Sequence, residues 1–158
     1  MTRYAQNTSV SAFKSREEIE RVLQRYGADQ FMYGTETGRA LVAFRMNGRQ
    51  VKFILPMPDK EDREFTHTPA KGSRRSNDAQ LEAWEKACRQ RWRALALVIK
   101  AKLEAVESGI TEFDSEFLAH IVLPDGQTFG TWARPQLESA YSSGNMPPLL
   151  PDYSGGDR

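Results

Sequence analysis

A single cysteine, Cys88, serves all 158 residues. Without a second thiol there is neither an internal disulfide framework nor a multi-cysteine zinc site, and a reducing compartment is the natural setting. Histidine is nearly as scarce: His67 and His120 stand far apart, and neither belongs to a ligand-spaced motif such as His-Glu-x-x-His. The chain has no Gly-x-Ser-x-Gly elbow and no glycine-rich loop ending in Lys-Ser or Lys-Thr, so neither acyl transfer nor P-loop chemistry is signalled. No run approaches the roughly eighteen apolar residues of a membrane span, and residues 1–13 lack the apolar centre of a signal peptide. A cytoplasmic protein without a membrane partner is expected. Net charge is missing too. The 22 Lys and Arg against 21 Asp and Glu leave a formal +1, so attraction for a polyanion has to come from local arrangement.

What is present is periodicity. Ser15 and Glu18 read as a capping box for a short helix whose apolar positions are Ile19, Val22, Leu23 and Tyr26, with Gly27 as the stop. Phe31 to Tyr33, a turn over 35–38 and two alternating runs around Asn47-Gly48 predict three antiparallel strands. A two-residue turn there pairs Phe44 with Val51 and Val42 with Phe53 on the core face, and Arg45 with Gln50 and Ala43 with Lys52 on the other. Residues 57–77 show no period and many charges, which predicts a functional or disordered loop of about twenty residues. A long helix over 77–108 follows, capped by Ser76 or Asn77. Its apolar stripe comprises Leu81, Trp84, Cys88, Trp92, Leu95, Ile99, Leu103 and Val106.

Residues 110–118 are ambiguous. Residues 119–129 predict a hairpin around Pro124-Asp125-Gly126, and a last helix spans 131–143 with Pro135 in its first turn. The expected fold is therefore α+β: a short N-terminal helix, a three-stranded antiparallel sheet packed on one long helix, then a C-terminal hairpin and helix. Residues 14–146 form a single domain between a flexible N-terminus, 1–13, and an extended or disordered tail, 147–158. By element order alone the first half echoes double-stranded-RNA-binding domains.

The candidate chemistry is basic. Residues 86–102 hold Lys86, Arg89, Arg91, Arg93, Lys100 and Lys102 without one acid. At about 100° per residue, Lys86, Arg89, Arg93 and Lys100 fall within roughly 60° of arc, opposite the apolar stripe. That ridge suits phosphate binding, or a solvated face stabilised by Glu82–Lys86 and Glu85–Arg89 pairs. The preceding loop carries Arg63, His67, Lys71, Arg74 and Arg75 and leads into the free amides of a helix start, a plausible anion corner. Arg74 and Arg75 would clamp a phosphate there, Lys71 would act as a mobile charge, and His67 would serve as phosphate contact or general base. Tyr33, Phe65 and Trp132 are candidates for stacking on a base. His120 and Cys88 read as structural. The acids Asp59, Glu61, Asp62 and Glu64 lack the second acid and lysine of a nuclease metal site. No catalytic residue, metal or cofactor is assigned.

The segments Gln30-Phe31-Met32-Tyr33-Gly34, Arg63-Glu64-Phe65-Thr66-His67-Thr68-Pro69, Arg89-Gln90-Arg91-Trp92-Arg93-Ala94-Leu95 and His120-Ile121-Val122-Leu123-Pro124-Asp125-Gly126 resemble a family of small uncharacterised bacteriophage and prophage proteins. That resemblance implies a setting in a host cell's cytoplasm, with no catalytic residues. The resulting expectation is a non-enzymatic phage accessory protein that binds a phosphate-bearing partner, nucleic acid first. The alternatives are an oligomeric sponge for a nucleotide-derived immune signal, acting in anti-defence, and a metal-dependent hydrolase.

Overall fold

The computed structural model describes residues 3–146, with side chains from Ala12 onward; the predicted tail over 147–158 lies outside them. Helix α1 spans Arg3–Arg25. It therefore begins twelve residues before the predicted cap, so residues 1–13 are helical from Arg3 on, and Ser15 sits in the helix interior. A capping box is local and cannot show whether upstream residues are already helical.

Three strands follow, β1 (Gln30–Glu36), β2 (Arg39–Met46) and β3 (Arg49–Pro56), in the order β1-β2-β3 and antiparallel throughout. The register is the predicted one: Phe44 pairs with Val51, Val42 with Phe53, Arg45 with Gln50 and Ala43 with Lys52. Asn47 at φ 53° and Gly48 at φ 71° make the left-handed turn that fixes it. Ala40, Val42, Phe44 and Met46 are buried with Val51 and Phe53. Met32 and Ile54, on the opposite face, are exposed.

The residues expected to form an open loop have structure of their own. They include a single helical turn, α2 (Arg63–Thr66), and an antiparallel bridge between His67 and Arg74. Phe65 and Thr66 are buried. The excursion is also fastened to the long helix α3 (Asn77–Glu107). Gln80 Nε2 donates to the Lys60 carbonyl at 2.9 Å, Trp84 Nε1 to that of Pro58 at 2.7 Å, and Arg91 Nη1 to that of Pro56 at 3.0 Å. Such bonds satisfy backbone that a structureless loop would leave to water.

Helix α3 keeps its predicted bounds to within a residue. The Ser76 hydroxyl accepts from Ala79 N at 3.2 Å, and Gly109 follows the C-terminus at φ 77°. Trp92, Leu95, Ile99 and Leu103 are buried against Ile19 and Leu23 of α1 and the inner face of the sheet. Leu81, Trp84, Cys88 and Val106, the outer members of the predicted stripe, are only half-buried. The ambiguous stretch resolves as α4 (Phe113–Phe117). Its Phe117 is fully buried and packs edge-on against Phe44 at 5.9 Å and Phe53 at 6.3 Å between ring centroids.

Beyond α4, a short 3-10 turn (Leu118–His120) leads to the predicted hairpin in reduced form, a turn closed by one bridge between Val122 and Thr128. Val122 N donates to the Gln50 carbonyl, tying that turn to the edge of the sheet. His120 is half-buried and stacked on Phe53 at 4.0 Å. Helix α5 (Phe129–Ser143) is capped by Thr128 two residues earlier than expected, so Pro135 falls in its second turn. No described helix is long and apolar enough to cross a membrane.

Candidate basic interface on the long helix

The candidate cations form two separate basic clusters. The first belongs to the excursion. The His67–Arg74 bridge, with Gly72 N donating to the Thr68 carbonyl and Arg75 N to that of Thr66, folds residues 66–75 into a tight hairpin. Arg63 and Arg74 thereby face His67. Its imidazole is held below its ordinary pKa, first by burial and then by those two guanidinium groups. His67 Nδ1 also shares a 2.8 Å hydrogen bond with the Thr66 hydroxyl. Lys71, at the hairpin tip, is exposed. A compact site with two arginines and a neutral imidazole suits one phosphate group.

Arg75 is engaged with the backbone of α2. Its Nη1 donates to the Glu64 and Phe65 carbonyls at 3.2 and 3.3 Å, where it satisfies the open end of α2. The free amides expected at the start of α3 are likewise partly engaged, by Ser76.

The second cluster lies in a groove of about 550 Å³ between α1 and α3. Lys14 from α1 joins Lys86, Arg89 and Arg93 there, and Glu18 is the only acid among the lining residues. Lys86 and Arg93 are exposed and enter no ion pair among the described residues; Arg89 is half-buried and engaged. Lys14 is the residue that sequence reasoning missed, because its place opposite the ridge depends on how α1 packs.

The structure keeps the two clusters apart. With about 100° per residue, Gln80, Trp84 and Arg91, which bind the Lys60, Pro58 and Pro56 carbonyls at the start of the excursion, lie near 20° around α3, whereas the ridge centres near 210°. The same start of the excursion carries the exposed acids Asp59, Glu61, Asp62 and Glu64. Between these flanks, on the side away from the core, an arc of about 160° is open to solvent. Gln90, Ala94, Leu97, Val98 and Ala101 occupy it, all exposed.

None of the three aromatic candidates joins either cluster. Phe65 is buried under the excursion, where its ring anchors α2. Tyr33 is partly exposed, but the Arg16 guanidinium covers its ring at 4.6 Å and lies 5.5 Å from the ring of Trp92 as well. Trp132 packs against Phe129 on α5, an element that contributes to neither basic site.

The Cys88 thiol is pushed up in pKa, chiefly by burial, and so is kept from the thiolate form. Of the four acids in the excursion, Asp59 accepts from Glu61 N and shapes a turn. Among the described residues, no three His, Cys, Asp or Glu side chains are gathered as metal ligands. No family model matches this chain, and neither a curated protein nor a solved structure matches it significantly.

Proposed function

We propose that this chain is a non-enzymatic phage accessory protein that binds a phosphate-bearing partner, nucleic acid first. One observation carries the reading. The α1–α3 groove concentrates Lys14, Lys86, Arg89 and Arg93 around a single acid in a molecule whose total charge is +1. Segregation of this kind creates a local positive field at a helix surface, and phosphate oxygens are the groups it suits. The acid-free section of α3, residues 86–102, is about 25 Å long, enough to meet several phosphates of a polymer rather than one.

The compact Arg63–His67–Arg74 site favours a second reading, a small nucleotide-derived ligand held by a sponge. Salt separates the two. With roughly four phosphate contacts, affinity for an oligonucleotide falls about 100-fold between roughly 50 and 200 mM salt, while a single-phosphate site responds far less. Fluorescence anisotropy with a labelled oligonucleotide measures this directly. Replacing Lys86 and Arg93 together by Glu is expected to remove most of the binding and flatten the salt slope. Undiminished binding by that double variant, with an unchanged melting temperature, would refute the groove as the site.

A further inference from the structure

We infer that β1 is the docking edge for a second copy of this chain, the two β1 strands pairing antiparallel about a two-fold axis at Tyr33 so that one sheet runs through both molecules.

The alternation of backbone groups picks out the edge. Pro56 has no N–H and stands opposite Arg39, so that pair exchanges no hydrogen bonds. Counting from it, Arg39, Leu41, Ala43 and Arg45 turn their backbone groups away from β3 and toward β1, where they meet Glu36, Gly34, Met32 and Gln30. The intervening Phe31, Tyr33 and Thr35 therefore present their N–H and C=O groups on the outer side of β1. Among the described residues no strand pairs with that side, and Met32, Tyr33 and Thr35 are exposed.

The opposite edge of the sheet is covered. Ile121 bridges to Val51, and Val122 N donates to the Gln50 carbonyl at 2.8 Å. Strand β1 has none of the usual guards: it holds no proline or lysine, and its seven residues pair with β2 without a bulge. A sheet that covers one edge and leaves the other bare points to a partner for the bare one.

The partner that fits is the same strand. The outward residues Phe31, Tyr33 and Thr35 are symmetric about Tyr33. An antiparallel pair centred there sets Tyr33 against Tyr33 of the second copy and Phe31 against its Thr35, and satisfies every outward group with about six hydrogen bonds. The side chains agree with this register. Glu36, the only charged residue of β1, falls opposite the Gln30 carboxamide of the second copy and not opposite a like charge. On the outer face the exposed Met32 falls opposite Gly34 of the second copy, which borders a hollow of about 270 Å³ with Leu41 and Ile54. Glycine within a strand weakens it and often marks the close approach of another backbone. Such an interface is isologous and closes at two copies, because the covered β3 edge cannot extend the sheet.

Sedimentation velocity on the intact protein between about 1 and 100 µM should show a monomer–dimer equilibrium. Thr35→Pro deletes an outward N–H that β2 does not use, and it should raise the dimer dissociation constant about tenfold or more. Cysteine pairing reads the register without relying on that variant. In a Cys88→Ala background, Met32→Cys chains mixed with Gly34→Cys chains should form a disulfide-linked dimer on mild oxidation, because the two positions face one another at about 4.5 Å between Cα atoms. Neither chain alone should do so. A protein that stays monomeric over the whole range, or a folded Thr35→Pro variant that dimerises as before, overturns the assignment of the β1 edge. Cross-linking that does not require the mixture overturns the axis at Tyr33.

Discussion

The fold lowers the pKa of both histidines, and His67 is the one that faces the arginines of the excursion. Its ordinary pKa of 6.5 is lowered by burial and by Arg63 and Arg74, so the folded protein takes up its proton at lower pH than the unfolded chain does. Between those two values the unfolded state binds more protons, and stability falls as pH drops below about 6.5. A phosphate placed between the two arginines would reverse the local field and raise the imidazole pKa. Binding of a phosphate ligand at this hairpin should therefore strengthen as pH falls through the same window, and His67→Gln should remove that dependence. Titration calorimetry at pH 7.5 and 6.0 with inorganic sulfate, a phosphate analogue that stays a dianion across this range, would read it. Affinity independent of pH in both proteins would mean that no phosphate sits against this imidazole.

The identity of His67 as the more interesting histidine was legible from its position in a polar loop, and so was the basic company of Arg63 and Arg74. The engagement of Arg75 with α2 was not legible. Arginine supplies the same donors to a phosphate or to backbone carbonyls. Which of them it meets depended on the Thr66 to Arg75 backbone pairing that closes the hairpin. Phe65 and Tyr33 were misread for a related reason. An aromatic ring in a charged segment looks available for stacking until burial, or a neighbouring guanidinium, takes its face.

At the scale of elements, α5 is attached differently from the others. It has no buried residue, while Leu137 and Tyr141 point their apolar groups outward. Its close approach to the 3-10 turn depends on Gly130, where an added Cβ would sit 2.9 Å from the Ala119 carbonyl oxygen and 3.3 Å from the Ala119 Cβ. Backbone cannot yield there as a flexible side chain would, so Gly130→Val should lift the start of α5 from the 3-10 turn at a cost of about 1–3 kcal/mol. Amide hydrogen exchange is the suitable measurement: faster exchange confined to 129–143, with β2 and β3 unchanged. Exchange in α5 identical to that of the parent protein would show that the helix is not held through this contact.

Helix α3 and the β2–β3 hairpin behaved differently from α5 because their signals are local and redundant. Asn47-Gly48, the strict alternation on both strands and the cap at Ser76 agree with one another, and agreement across levels specifies a structure. Segment 110–118 gave no period because α4 is a single short turn, too brief for a 3.6-residue repeat to emerge. Yet it supplies Phe117, whose ring lies between Phe44 and Phe53 at the centre of the core.

For the whole molecule, the near balance of charge makes local and global electrostatics separable by experiment. Arg39, on β2, and Arg134, on α5, are exposed and lie outside both basic clusters. Replacing these two by Glu changes the net charge by the same amount as Lys86→Glu/Arg93→Glu. If the field of the groove governs binding, the control variant should keep its affinity for an oligonucleotide to within about twofold, because charges beyond roughly one Debye length, about 8–10 Å, are screened at moderate salt. Equal losses in both variants would place the attraction in net charge and not in the arrangement on α3.

The sequence by itself determined the long helix α3 and its apolar stripe, the sheet and its register, and the inventory of cations, since each follows from residue spacing or turn chemistry within a few positions. Only the tertiary structure decided which cations share a surface. Lys14 reached the ridge because α1 packs beside α3, and the excursion was drawn to the other flank by Gln80, Trp84 and Arg91, all contacts between residues distant in the chain. A one-dimensional pattern gives the bearing of a side chain around its own helix but not what stands next to it. That missing neighbour turned one expected corner site into two separate basic clusters.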